Sequence, residues 1–353
     1  MINSKEKIAL IKNKIIVEPG KEINLMEVCG THTMSIAANG IRSLLPKGIN
    51  LISGPGCPVC VTSQKDIEAA LALAREKDVL ITTFGDMIRV PSSTDRLENY
   101  KNVQIVYSPM ESLILAEENP HKEIVFIGVG FETTTPLIAA TIKEARKKDI
   151  QNFSALSLHK TVPAALEMIL AHKDSNIDGL ILPGHVSAVT GMQYFRFLND
   201  LNIPGVITGF EALNIMESIY MLTKMHNSAD SKLINNYPSV VNENGNPIAM
   251  NLLNEVFEPV DSIWRGIGTI AQSGLKIREE YIDFDAMERF QLTIDDIPDP
   301  KGCLCGQILL GRTSPDKCRH FGKSCTPTEP VGPCMVSSEG TCAAWYKYGT
   351  GES

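Results

Sequence analysis

The chain has 353 residues, 43% hydrophobic and 21% charged, with a formal net charge of −8. This is the composition of a globular protein long enough for two or three domains, and its acidic balance argues against a nucleic-acid backbone as the main partner. No apolar run reaches the roughly 18 residues of a membrane span, and the opening "MINSKEKIALIKNKI" lacks a signal-peptide pattern, so the expected location is the cytoplasm.

In chain order, "MEVCGTHTMSIA" (26–37) comes first. Extended residues reach Cys29, then Gly30, then His32 between Thr31 and Thr33, where a strand hands over to a helix. Apolar runs predict strands over 49–53, 79–84, 103–108, 123–130, 153–158, 179–183 and 205–208, and amphipathic stretches such as 64–77 and 161–173 predict helices between them. Such alternation makes a parallel sheet with helical crossovers. The chain also matches itself. His32 and Ala37–Ala38 align with His159 and Ala164–Ala165, "PGCPVCVT" (55–62) with "PGHVSAVT" (183–190), and "ITTF" (81–84) with "ITGF" (207–210). The expected class is therefore α/β, with two tandem, related Rossmann-like parallel-sheet domains over 22–115 and 116–222. Beyond about 221 the chain turns polar and reads as a loop-rich link, and "NLLNEVFEPV" and "WRGIGTIAQSG" read as helical or irregular. The tail from "IPDPKGCLCG" is too rich in Gly, Pro and Cys to build an apolar core and needs a covalent or metal staple. A third, loop-rich unit is expected over 223–353 together with 1–21.

Cysteine is the unusual component: Cys29, Cys57, Cys60, Cys303, Cys305, Cys318, Cys325, Cys334 and Cys342, six of them within the last 51 residues. In a chain of this length such clustering favours a metal centre or redox chemistry over a disulfide framework. The tail thiols follow one another at intervals of 2, 13, 7, 9 and 8. Zinc takes four ligands, commonly from two close pairs, and only one close pair is present. A four-iron cluster also takes four thiolates, and either leaves two thiols spare. Cys57 and Cys60 in "GPGCPVC" have the spacing for metal ligation, a disulfide or thiol exchange, and equally for two buried structural thiols. Opposite them in the second copy stand His185 and Ala188, so thiol chemistry sits on one copy only. Cys29, at a strand end, lies where an open α/β sheet binds ligands, as a nucleophile or a soft-metal ligand. His32 then holds or deprotonates that thiol rather than binding metal itself. Asp86 of "GDM" ends a strand, either serving the site or capping a helix, and "GVGFETTTP" (128–136) fits no dinucleotide or Walker pattern.

Taken together and in order, "CGTHT", "GPGCPVC", "GFETTTP", "LPGH" and the tail "CTPTEPVGPCMVSSEGTC" resemble the HypD family of hydrogenase maturation factors, over about residues 5 to 350. The resemblance implies a scaffold that works with the small protein HypC to assemble the Fe(CN)2CO unit of [NiFe] hydrogenases. Cyanide would come from HypE, and the hydrogenase large subunit would be reached indirectly through HypC. It implies that Cys29 ligates this transient iron and that Cys57 and Cys60 form a dithiol/disulfide pair passing electrons toward it. The tail is similar to ferredoxin:thioredoxin reductase. That likeness implies a [4Fe–4S] cluster on Cys303, Cys318, Cys325 and Cys342, with a redox pair, Cys305 and Cys334, beside it. Glu339 of "SSEG" is carried over as a functional residue. No nucleic acid or membrane partner is expected. Two other classes of function fit the residues alone: a stand-alone iron–sulfur thiol/disulfide oxidoreductase, which does not need Cys29, and a zinc-stapled binding module.

Overall fold

The computed structural model describes residues 3–92, 95–172 and 175–349. Position 173 of the expected helix 161–173, and the end of the tail at 350–353, lie outside them. The strands are β1 (Ile23–Glu27), β2 (Ile49–Ser53), β3 (Val79–Thr83), β4 (Val103–Ile105), β5 (Glu123–Gly128), β6 (Phe153–Ser157), β7 (Gly179–Pro183), β8 (Gly205–Thr208), β9 (Leu233–Asn235), β10 (Phe257–Trp264) and β11 (Gly268–Ile277). β1, β3 and β7 are buried at every position, as strands of a parallel sheet covered on both faces must be. Helix Gln64–Arg75 shows how the covering layer forms. Ser63 and Asp66 close a capping box at its start, and Ile67, Ala70, Leu71 and Ala74 face the core at helical spacing.

The strands make a five-stranded parallel sheet, β2-β1-β7-β8-β9, and a four-stranded one, β4-β3-β5-β6. Numbered by appearance within each sheet, the orders are 2-1-3-4-5 and 2-1-3-4: the same doubly wound pattern, with its switch point between the first and third strands. Two related α/β domains are thus present, but not in tandem. β1 and β2 join β7–β9, while β3–β6 form the other sheet, so the second domain is inserted into the first and the boundary at 115/116 does not separate them. The self-alignment fails for the same reason: "ITTF" ends β3 in one sheet, "ITGF" ends β8 in the other, and the two strands occupy different places in the winding. Residues 3–21 also part from the tail. Helix Ser4–Lys12 packs on helix Ala212–Asn227 of the first domain, where Asn227 Nδ2 donates to the Ile16 carbonyl at 2.9 Å.

The link is less irregular than its composition. It adds β9 to the edge of the larger sheet, and "WRGIGTIAQSG" folds into the β10–β11 antiparallel hairpin. Gly266 and Gly268 take φ of +67° and +106° at its turn, a conformation glycine adopts without strain. A register shift between Val260 and Ser262 breaks the alternation that would have marked the strands. The hairpin is tied to the segment after Cys60 by a Thr62–Trp264 bridge and by the Arg265 N–H donating to the Val61 carbonyl at 2.9 Å. The tail is a chain of turns with two short helices, Cys305–Leu309 and Thr341–Tyr348, the second lying on helix Gly30–Ala38. Among the described residues, no helix is long and apolar enough to cross a membrane.

Candidate metal and redox centre

At the switch point of the larger sheet, β1 runs out to Cys29, which is extended (φ −153°, ψ 127°) and precedes helix Gly30–Ala38. Backbone closes in from two sides. A Cβ on Gly56, in the loop after β2, would stand 2.3 Å from the Cys29 nitrogen, and one on Gly30 would stand 2.4 Å from Cβ of Glu339 in the tail. Glycine is required at both places. The Thr31 hydroxyl donates to Glu339 Oε1 at 2.6 Å. Burial, then the Glu339 charge, push the Cys29 thiol up to about 12, against the N–H groups of His32 and Thr31 and the Thr31 hydroxyl, which favour the thiolate. The sulfur therefore keeps its proton until a cation replaces it.

His32 and Thr33 turn elsewhere. His32 Nε2 donates to the Gly209 carbonyl at 3.1 Å, its ring stacks on Phe210 with centroids 4.7 Å apart, and burial lowers its pKa to about 4. It is neutral, with its proton on Nε2 and a buried, unpartnered Nδ1 lone pair. It is thus bonded to a backbone carbonyl rather than to the thiol. The Thr33 hydroxyl, 2.9 Å from both carboxyl oxygens of Glu27, bonds that residue rather than the sulfur. Glu27 is fully buried in β1, and burial lifts its pKa to about 7. Sequence reasoning passed over it. The available signal was a lone acid ending an apolar strand two residues before Cys29. His185 also stacks on Phe210, with ring centroids 3.9 Å apart. Asp86, at the end of β3, makes no helix-capping bond. It accepts the Ser337 hydroxyl at 3.0 Å, and Ser337 Oγ in turn accepts the Glu339 N–H at 3.2 Å. Through Ser337 and Glu339 the tail joins the first-strand ends of both domains.

The other thiols form a connected set. Cys57 Sγ accepts the Cys60 N–H at 3.3 Å. Cys334 is fully buried, and the neighbouring thiols of Cys305, Cys342 and Cys60 favour its thiolate against burial. Cys60 is pushed up by burial and by the same contact with Cys334. The short helix Pro58–Val61 packs on the turn Pro333–Met335, so the pair after β2 and the tail adjoin at Cys60 and Cys334. Cys303 donates to Cys305 at 3.3 Å. The four expected ligands, Cys303, Cys318, Cys325 and Cys342, line one small cavity, and Cys305 lines it too, whereas Cys334 does not.

Comparison with known proteins supplies the family. A profile described as "HypD: Hydrogenase formation hypA family" matches residues 4–349. The chain belongs to the HypD family. It is 42% identical to the hydrogenase maturation factor HypD of Cupriavidus necator, over 94% of this chain and 91% of that one. To the factor of the same name from Escherichia coli it is 41% identical, over 94% and 91%. To a putative hydrogenase expression/formation protein of Methanocaldococcus jannaschii it is 40% identical, over 99% of each.

For a HypD-family chain an iron–sulfur cluster is the implied group, and the residues present fit one. Five cysteines line the cavity together with His320, Ile308, Phe321, Val331 and Met335, and thiolate sulfur is the donor such a cluster takes; among the described residues no group of three or more His, Cys, Asp or Glu is placed to hold a single metal ion. The Val331 N–H donates to Cys325 Sγ at 3.3 Å, the kind of bond that tunes cluster sulfurs. The backbone at Gly332 passes so close that a Cβ there would stand 2.7 Å from Cys305 Sγ and 2.8 Å from Cys303 Sγ.

Proposed function

We propose that this chain is a redox-active scaffold for assembly of the Fe(CN)2CO unit of [NiFe] hydrogenases. The contact between Cys60 and Cys334 carries the reading, because it joins the dithiol beside Cys29 to the tail thiols by one buried path. The relatives' names supply the process, hydrogenase maturation. With all nine cysteines unpaired, the chain suits a reducing compartment, and the cytoplasm is the location we propose.

The iron is cargo. Cys29 binds it as thiolate, losing its proton as the iron–sulfur bond forms, and shares it with a cysteine of HypC, which carries the finished unit to the hydrogenase large subunit. A thiolate suits low-spin iron(II) bearing strong-field cyanide and carbonyl. HypE presents cyanide as a thiocyanate. Cleaving its sulfur–carbon bond takes two electrons and leaves a thiolate on HypE and a cyanide for the iron. The Cys57 and Cys60 thiols supply both electrons, losing two protons and closing a disulfide. Cys334 then attacks Cys60, breaking that disulfide and releasing Cys57 as a thiolate held by the Cys60 N–H. Cys305 next attacks Cys334 and frees Cys60, so that the Cys305–Cys334 pair ends oxidised and the Cys57–Cys60 pair reduced. Cys303, Cys318, Cys325 and Cys342 would hold a [4Fe–4S] cluster, which would pass single electrons from an external one-electron donor to the oxidised pair. Thr31, Glu339 and Asp86 hold the tail against the Cys29 pocket throughout.

The test is infrared spectroscopy on the chain purified without oxygen together with its small partner. Cyanide and carbonyl bands that vanish in Cys29→Ala are the expected result. A brown, iron-loaded, partner-bound sample without such bands would instead point to the stand-alone thiol oxidoreductase.

A further inference from the structure

Arg265 is among the largest fully buried side chains of the protein. It sits at the hairpin turn, its side chain 1% exposed, with Nε 3.1 Å from Asp299 Oδ1, while Asp299 itself is 37% exposed. Its Nη1 and Nη2 are both buried and have no hydrogen-bond partner. A guanidinium is charged at all accessible pH and carries five donors in a rigid fork, and buried donors are rarely left unmade. One partly exposed carboxylate on Nε does not satisfy it, so the protein holds cationic donors in reserve for an acceptor it does not itself provide.

The position says which acceptor. Gly266, the next residue, packs backbone to backbone on Gly306, where a Cβ would lie 2.4 Å from the Gly306 Cα. Gly306 follows Cys305, and Asp299 lies on the strand of chain that leads into Cys303. On the hairpin side the Arg265 N–H holds the Val61 carbonyl, one residue past Cys60. Arg265 thus lies beside the segments that carry Cys303 and Cys305 on one side and Cys60 on the other.

We propose that Arg265 is a positioning residue that donates its free N–H groups to the anionic sulfur centre of the tail, on the Cys303 side, and raises the reduction potential of that centre. This rests on reading the tail cysteines as cluster ligands. A cluster held by four thiolates is an anion that gains one more negative charge on reduction, so a fixed buried cation favours the reduced form.

The experiment is a potentiometric titration, followed by electron paramagnetic resonance, of the full chain purified without oxygen, as wild type, Arg265→Gln and Arg265→Lys, with iron and sulfide counted in each. Arg265→Gln is expected to keep iron and sulfide and to shift the equilibrium about tenfold toward the oxidised cluster, or 59 mV for a one-electron couple; Arg265→Lys restores most of the shift. An unchanged midpoint in Arg265→Gln overturns the proposal and leaves the cluster reading standing. A wild type without iron and sulfide overturns both. Thermal unfolding of Arg265→Met, with and without metal, covers the case in which Arg265→Gln loses its iron. Destabilisation confined to the metal-loaded form supports the proposal, because without the anion the free donors serve nothing. Equal destabilisation of both forms assigns Arg265 to packing and refutes it.

Discussion

The two sheets are wound alike, and each has a crevice beyond its first and third strands, yet the crevices are filled in different ways. In the larger sheet the first strand delivers Cys29 under two glycine contacts, with the tail's Glu339 over it. In the smaller one, the loop after β5 delivers Glu132, fully buried, whose Oε1 takes the Val162 N–H at 2.9 Å and the Tyr194 hydroxyl at 2.8 Å. That carboxylate is held by Val162 of its own domain and by Tyr194, which lies between β7 and β8 of the other. Winding supplies a place for a ligand, and the loops and the tail decide whether it becomes a reactive site. The tail reaches both, through Ser337 to Asp86 and through Glu339 to Thr31, but brings sulfur chemistry to one.

Substitutions sharpen or break this contrast. The largest effect is expected from Cys29→Ala, which should abolish hydrogenase activity in cells that depend on this chain while leaving fold and tail iron unchanged. Glu132→Gln, in the other crevice, should mature hydrogenase near the wild-type level. Normal maturation in Cys29→Ala would remove the distinction altogether.

Next comes pH. Burial lifts Glu132 from 4.5 to about 7, so the native state holds this proton more tightly than the unfolded chain. The stability it contributes is complete below pH 4.5 and is lost as pH rises through 7, by at most roughly 3 kcal/mol. Chemical denaturation across that window should show Glu132→Gln losing less stability than wild type. Parallel curves would mean the carboxyl ionises freely in the native state. Glu27, lifted to about 7 in the reactive crevice, acts with the same sign.

Packing gives a smaller pair of effects. Gly56→Ala drives a methyl to 2.3 Å from the Cys29 nitrogen and should cost about 1–3 kcal/mol. Gly85→Ala, after β3, meets nothing closer than 3.8 Å and should stay within about 0.5 kcal/mol. Equal midpoints in denaturant would show that the Cys29 crevice is not tightly closed. Smallest is Glu339→Gln. Removing that charge should lower the Cys29 thiol from about 12 but leave it above the ordinary 9.0, since burial is the larger cause. Ultraviolet thiolate absorbance, taken as a difference from Cys29→Ala, reads the shift; no movement would mean the carboxylate does not act on the sulfur.

Local physics made much of this legible. β2, β7 and β8 appear over the residues that their apolar runs predicted, and β3, β5 and β6 begin where expected; β3 and β7 are legible because a strand buried on both faces must be continuously apolar, and β2, at the sheet edge, because burial alternates along it. β9 is three residues long, and the β10–β11 hairpin is broken by a bulge, so neither carried a period to read. Sheet membership was hidden for a different reason. Parallel strands of the same apolar residues pair equally well with several neighbours, and which sheet each joins depends on the crossovers around it.

The sequence by itself determined that the chain alternates strand and helix, that thiols cluster at its end, that Cys29 stands at a strand end, and that Cys57 and Cys60 lie between a strand and a helix, because periodicity and spacing are local properties. Only the tertiary structure decided that one domain is inserted into the other, that His32 and Thr33 face Gly209 and Glu27 rather than the thiol, and that Cys60 meets Cys334. Except for Thr33 with Glu27, six residues away, those are contacts between residues far apart in the chain. They are set by how whole surfaces pack, and no short stretch of sequence records them.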